Sequence, residues 1–179
     1  MLKEGEAYAG LILGKNGESD YHLVLLADDA FAFLVSWELM SVSSYFLVVY
    51  QHQQAAHRRA AFLYLLMAHL GAVAILLAFG ILAHAGGDFS FEALRNADLS
   101  DRWATAAFVL ALFGFGIKAG LVPGHVWLPE AHPAAPAHVS ALMSGVMLKV
   151  AVYGFIRTVF DLIGGVEWQW GVAVLLVGA

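Results

Sequence analysis

Four long apolar stretches dominate this chain, and its polar positions gather between them. Ala30–Tyr50, Ala60–Ala83, Ala104–Val122 and Val139–Phe160 run for 21, 24, 19 and 22 residues. Each reaches the roughly 17–25 residues with which a helix crosses a hydrocarbon core about 30 Å thick. A shorter apolar run of 12 residues, Trp168–Ala179, reads as the start of another span. The pattern predicts an all-α fold, a polytopic transmembrane helical bundle. Composition agrees: 61% of the 179 residues are apolar and 13% charged, against about 45–50% and about 25% in soluble domains. Of the 23 charged side chains, the four spans hold only Glu38, Lys118, Lys149 and Arg157.

The links between the spans differ in character. Gln51–Arg59 is short and polar, which suits two antiparallel neighbours; its Arg58–Arg59 pair votes for the cytoplasmic side, while Arg95 and Arg102 of the next link vote the other way. His84–Trp103 is longer; after a Gly86-Gly87 turn, Phe89, Phe91 and Leu94 are spaced like one face of a short interfacial helix. Pro123–His138 carries all four prolines, three histidines and no Lys or Arg. Proline blocks a continuous helix here, with Pro123 and Pro129 the expected breaking points.

Charge and cysteine narrow the function classes. The chain has no cysteine, which removes disulfides, thiolate metal sites and cysteine nucleophiles. A net charge of −5 with both signs scattered leaves no basic tract for nucleic acid. The first twenty residues lack the basic start and apolar length of a cleavable signal peptide. No metal site, redox cofactor site, nucleotide loop or hydrolytic constellation is visible, so no cofactor is expected.

There remain the ionisable groups inside the spans, which by default mark ion or proton pathways. Glu38 is ninth of 21 residues in its span, with Ser41 and Tyr45 on the same helical face; the plain alternative is a neutral carboxyl bonding two helices. Lys118 stands near the end of its span, where snorkelling to the headgroups competes with a buried role, and Ala111 and Gly114 on its face would let another helix approach. Lys149 is eleventh of 22, about 15 Å from either end at 1.5 Å per residue. It should face other helices or a water-filled cavity, with Gly145, Tyr153 and His138 on roughly its side. His69 is mid-span and suits either a relay or packing. Arg157 reads as an interfacial anchor. His125, His132 and His138, with Tyr153, are candidates for admitting or gating protons.

The residues Trp37-Glu38 and Met40-Ser41, the run SSYFLVVY, and above all GFGIKAGLVPGHVWLPEAHPAAPAHVSALMSGVMLK carry a resemblance. Over Ala27–Ala179 the sequence resembles the antiporter-like, proton-pumping membrane subunits of respiratory complex I and membrane-bound hydrogenases. The branch of hydrogenase-4 component B and the formate hydrogenlyase large membrane subunit is nearer than the sodium/proton antiporter subunits. The resemblance implies that Glu38 lies halfway across the membrane and pairs with Lys118 of a broken helix. It also implies that Lys149 is a second relay lysine and His69 a relay histidine between them. It further implies a multi-pass place in the cell inner membrane, among other membrane subunits, with redox chemistry performed by those partners.

Two departures stand out. Family members carry a large apolar residue where this chain has Gly124, which is expected to loosen the break. They also have about fourteen membrane helices in two inverted five-helix repeats. The chain is therefore expected to be part of one repeat: residues 1–20 unmatched, 21–179 a partial transmembrane domain, and the whole a piece of a longer subunit. Protons are the expected ion, and sodium, through a sodium/proton antiporter, is the alternative. In the relay reading, burial disfavours an ammonium while a nearby carboxylate favours it, so Glu38 and Lys118 would titrate as a coupled pair. A structural or assembly subunit packed through Ala141 and Gly145 is a second alternative. A haem carrier would need two histidines at matching depth, and only His69 is clearly mid-span.

Overall fold

In the computed structural model, residues 19–49 and 52–178 are described, with the side chains of 19, 20 and 138 excepted. The N-terminal segment at 1–20 thus lies almost wholly outside the described residues. A short helix α1 (Ser19–Leu26) leads into α2 (Ala30–Val48) and then the long α3 (Ala55–Gly86). Next come α4 (Phe91–Arg95), α5 (Asp101–Ala119), a 3-10 turn (Gly124–Trp127), α6 (Leu128–Ala134) and α7 (Ala137–Leu142). A π-helical turn (Met143–Met147), α8 (Leu148–Ile156), a second π-helical stretch (Arg157–Ile163) and α9 (Trp168–Gly178) complete the described chain. Four helical segments are long and apolar enough to cross a membrane: Ala30–Val48, Ala55–Gly86, Asp101–Ala134 and Val139–Ile163. The protein is an all-α, multi-pass membrane bundle.

Each boundary has a local cause. Asp29 caps α2, its carboxylate accepting from the Ala32 amide at 2.7 Å. α3 absorbs most of the polar link expected at 51–59 and ends at Gly87, whose φ of 80° allows the left-handed cap. Ser90 caps α4 through the Ala93 amide, and Phe91 and Leu94 are buried. Phe89 does not join them; its backbone carbonyl instead accepts from the Ala30 amide, tying the two loops together. Inside α2, Ser41, Ser43 and Ser44 donate to carbonyls one turn back at 2.7–2.9 Å, so the hydroxyls of an apolar span are satisfied within their own helix.

The helices meet through small residues and aromatic rings. In α3, Ala61, Tyr64, Ala68, Ala72 and Ile75 point inward, while Phe62, Leu66, Leu70, Val73 and Leu77 are exposed. Bulk therefore faces outward and small residues inward, the arrangement for helices that approach closely in lipid. α3 and α5 approach closely: a Cβ added to Gly71 would lie 2.9 Å from the Gly114 carbonyl oxygen. One added to Gly114 would lie 2.7 Å from the Gly71 oxygen. Around this crossing, Phe33 stacks on Trp37 at 5.8 Å and the Trp37 ring meets Phe115 edge-on at 5.3 Å.

The third spanning segment is interrupted. Gly120, at φ 82°, ends α5 with paired bonds from Leu121 to Gly116 and from Gly120 to Ile117, the Schellman arrangement. Leu121–Pro123 then leave the helix. Pro123 stands at this interruption. Pro129 instead occupies the first turn of α6, where a missing N–H costs nothing. Gly124 does not loosen the break as expected: a Cβ there would stand 2.9–3.0 Å from Ile117 atoms, so glycine draws the turn tightly against α5.

Candidate functional site

Lys118 is the centre of the polar interior. It lies in the last turn of α5, just before the break, and only 2% of it is exposed. Its position beside the crossing at Gly71 and Gly114 carries the side chain into the bundle, so the snorkelling alternative does not hold. Nζ donates to Ser41 Oγ of α2 and to Tyr64 OH of α3, both at 2.8 Å. Two rings face the ammonium, Tyr64 at 4.8 Å and Trp37 at 5.9 Å to their centroids. Such faces attract a cation once water has been removed.

The break supports this site from the other side. Trp127, 1% exposed, donates its indole N–H to the Ile117 carbonyl at 2.8 Å, a second and shorter bond to the oxygen that also accepts from Gly120 at 3.3 Å. Its ring meets Tyr64 edge-on at 5.2 Å. The tryptophan of the proline-rich string thus seals the last turn of α5 and braces the tyrosine that holds Lys118. Beyond Tyr64 the polar line reaches Met147: Tyr64 OH lies 3.5 Å and Ser44 Oγ 3.7 Å from its Sδ. A thioether is a weak acceptor with no proton to give.

Glu38 does not meet Lys118 in this arrangement. Among the described residues its carboxylate pairs with His69, Nε2 to Oε2 at 3.5 Å, and no carboxylate forms an ion pair with Lys118. His69 Nδ1 donates to the Leu65 carbonyl at 2.9 Å, so a bond between Nε2 and Glu38 needs one more proton, on the imidazole or on the carboxyl. Both side chains open outward, 53% and 34% exposed. The physical reason is rotational: α2 turns Ser41 inward and Glu38 toward the rim. The two remain neighbours, since residues three apart on a helix hold Cβ atoms about 5–6 Å apart.

Lys149 is exposed on α8 and has no hydrogen bond or ion pair among the described residues. The π-helical turn at Met143–Met147 precedes it, adding a residue to the turn and rotating α8 relative to α7. The straight-helix register that aligned Lys149 with position 138 therefore fails, and the His138 side chain lies outside the described residues. Gly145 faces open space. Tyr153 belongs to a different group: its hydroxyl accepts from Arg157 at 2.6 Å and lies 3.3 Å from the Leu25 carbonyl oxygen. Arg157 is no simple interfacial anchor, since its guanidinium covers the Phe91 ring at 4.5 Å. Arg95 joins Asp161 by two bonds of 2.7 and 2.9 Å, which raise its basicity further above the ordinary arginine value. Of the loop histidines, His132 bonds Ser140 at 2.6 Å, and His125 has its Nδ1 buried without a partner among the described residues.

Tyr64, Trp127 and Met147 were not singled out from sequence. Tyr64 carried one usable signal: it is the single hydroxyl on the inward face of α3, otherwise lined by small and apolar residues, and a buried tyrosine hydroxyl seeks a partner.

Membrane-spanning helices, one of them broken, closing around a wholly buried lysine define the class: a polytopic membrane protein with ionisable groups set inside its spans. Residues 27–179 match the family described as NADH:quinone oxidoreductase/Mrp antiporter, transmembrane, and the chain belongs to it. It is 46% identical over 158 residues to hydrogenase-4 component B of Escherichia coli, covering 87% of this chain and 23% of that protein. It is 33% identical over 181 residues to NAD(P)H-quinone oxidoreductase chain 4 1 of a Picosynechococcus species, covering 99% and 33%. The structure of the Mrp complex from a Dietzia species contains a chain similar over 89% of this one and 30% of its own length. The TM-score is 0.76 and the identity 25%. The chain thus spans between about a quarter and a third of the length of these relatives.

Proposed function

We propose that the chain forms part of a proton-translocating membrane subunit in a redox-driven complex of the inner membrane. Glu38, His69, Lys118 and Lys149 serve as its relay and other membrane subunits as its partners. The observation that carries this reading is Lys118: a wholly buried amine held by two hydroxyls rather than by a carboxylate. A fixed ion pair would keep a lysine charged. Hydroxyls can donate or accept, so Ser41 and Tyr64 can hold the nitrogen in either protonation state without rearranging the helices.

The Glu38–His69 pair supplies the adjoining station, one helical turn from Ser41. Movement of the Glu38 carboxylate toward Lys118 favours the ammonium there, and its return to His69 favours release. Release toward Lys149 passes Met147, which cannot carry a proton itself, so water must bridge that step. His125 and His132, around the break, are in this reading the groups that exchange protons with water.

The test is Glu38→Gln and Lys149→Ala in the full-length subunit within its complex, with protons counted per electron transferred. The expected result is loss of pumping in both, and wild-type stoichiometry in both would sink the relay. The likeness to the Mrp complex supports a second reading, sodium/proton exchange by the same groups. Proton movement that requires sodium on the opposite side would establish it. Assembly alone would be the role if joint apolar replacement of Glu38 and Lys118 preserved both assembly and coupling.

A further inference from the structure

A groove of about 540 Å³ opens between the end of α3 and the start of α5, far from the Lys118 site in chemistry and lining. Its volume falls within the roughly 300–1,000 Å³ of sites that take small molecules. Leu77, Gly80 and Ile81 of α3 form one wall and Trp103 of α5 another. His84, Asp98 and Ser100 stand along the rim.

The groove sits at the level of the headgroups. α3 has 32 residues, about 48 Å at 1.5 Å per residue, against a hydrocarbon core of about 30 Å. Its last turn, with His84, therefore leaves the hydrocarbon. α5 opens with Asp101 and Arg102, and Trp103 is 59% exposed at the first apolar turn, the place where tryptophan belts form. The wall below is apolar and the rim above polar, which matches an amphiphile lying with its chain along Leu77 and Gly80.

The rim also selects a headgroup. Among the described residues Asp98 has no ion pair, and the Ser100 hydroxyl makes no bond to the helix it caps. Nearby, Arg95 of the same link is taken by Asp161. The groove therefore presents an uncompensated carboxylate beside a hydroxyl and an imidazole that can donate to a phosphate. A primary ammonium brings three N–H donors to a carboxylate, a quaternary choline brings none, and an anionic glycerol headgroup meets Asp98 with like charge.

We propose that this groove is a binding site for one zwitterionic aminophospholipid, its ethanolamine ammonium on Asp98, its phosphate toward His84 and Ser100, and an acyl chain along the Gly80 wall. Gly80 supplies a clean control, because a Cβ there meets nothing within 4 Å. A larger residue fills the groove without displacing protein.

The experiment places the full-length subunit, in its complex, in phosphatidylcholine nanodiscs. Each is doped with a photoactivatable phosphatidylethanolamine, phosphatidylcholine or phosphatidylglycerol of identical acyl chains, and labelled peptides are mapped. The ethanolamine probe should label residues 77–103 about tenfold more than the other two, the ratio that a charge-assisted hydrogen bond supplies. Asp98→Asn should reduce its labelling to the choline level, and Gly80→Leu should remove labelling by all three. Equal labelling by the three probes in the unaltered chain would overturn the proposal, as would an ethanolamine preference that survives Asp98→Asn. Cross-linking of the groove to a neighbouring protein helix in place of lipid would also overturn it.

Discussion

Lys118 and Lys149 are both lysines inside apolar spans, yet the chain treats them in opposite ways. Lys118 is enclosed by three helices, two hydroxyls and two aromatic faces. Lys149 stands exposed on α8, with Met147 of the preceding π-turn filling the interior beside Tyr64 and Ser44. An enclosed charge has its environment built by its own chain. An exposed one at membrane depth depends on whatever covers that face, and Glu38 with His69 shares this outward orientation. The bundle thus holds Lys118 in a closed interior and leaves Lys149, Glu38 and His69 facing outward.

Lys118→Met should break the comparison most. Proton movement per electron should fall below about a tenth, while thermal unfolding of the assembled subunit stays level or improves, because apolar replacement of a buried charge is often neutral or stabilising. A large drop in unfolding temperature would mean that Lys118 holds the helices together instead. Gly114→Leu should come next, forcing apart α3 and α5 where their backbones nearly touch. A loss of about 3 kcal/mol in unfolding free energy is expected for such overpacking, with coupling lost as Ser41 and Tyr64 separate.

Tyr64→Phe removes one of the two bonds to Lys118 and leaves its shape. A hydrogen bond to a charged group contributes roughly 1.5–3 kcal/mol, so coupled turnover should slow by about tenfold or more while assembly is retained. The smallest effect on stability belongs to Lys149→Gln, within about 0.5 kcal/mol as for exposed positions. Its effect on proton movement should nevertheless be large in the full complex. If both quantities are unchanged, Lys149 has no part in the relay and the division of the bundle sharpens into one working site.

Much of the fold was legible along the chain. Long apolar runs meet a fixed membrane thickness, so four spans could be placed, and the prolines located the interruption of the third. Ser41 was legible as part of a polar stripe with Glu38, and Gly114 as a point of close approach. The pairing of Glu38 was not, because periodicity tells which residues share a face but not which faces meet. Close contact at Gly71 and Gly114 sets that rotation, sending Ser41 to Lys118 and leaving Glu38 with His69. The alignment of Lys149 with position 138 fails for a related reason: a π-turn changes the register, and nothing in MSGVM announces one.

By itself the sequence determined that this is a helical membrane protein, how many times the described chain can cross, and which ionisable groups fall within the apolar runs. These features come from hydrophobic length and from the cost of burying charge, both local properties. Only the tertiary structure decided that hydroxyls of two other helices hold Lys118, that Trp127 braces Tyr64, and that Glu38 and Lys149 face outward. Those are set by helix rotation and by side chains far apart in sequence, which no local pattern encodes.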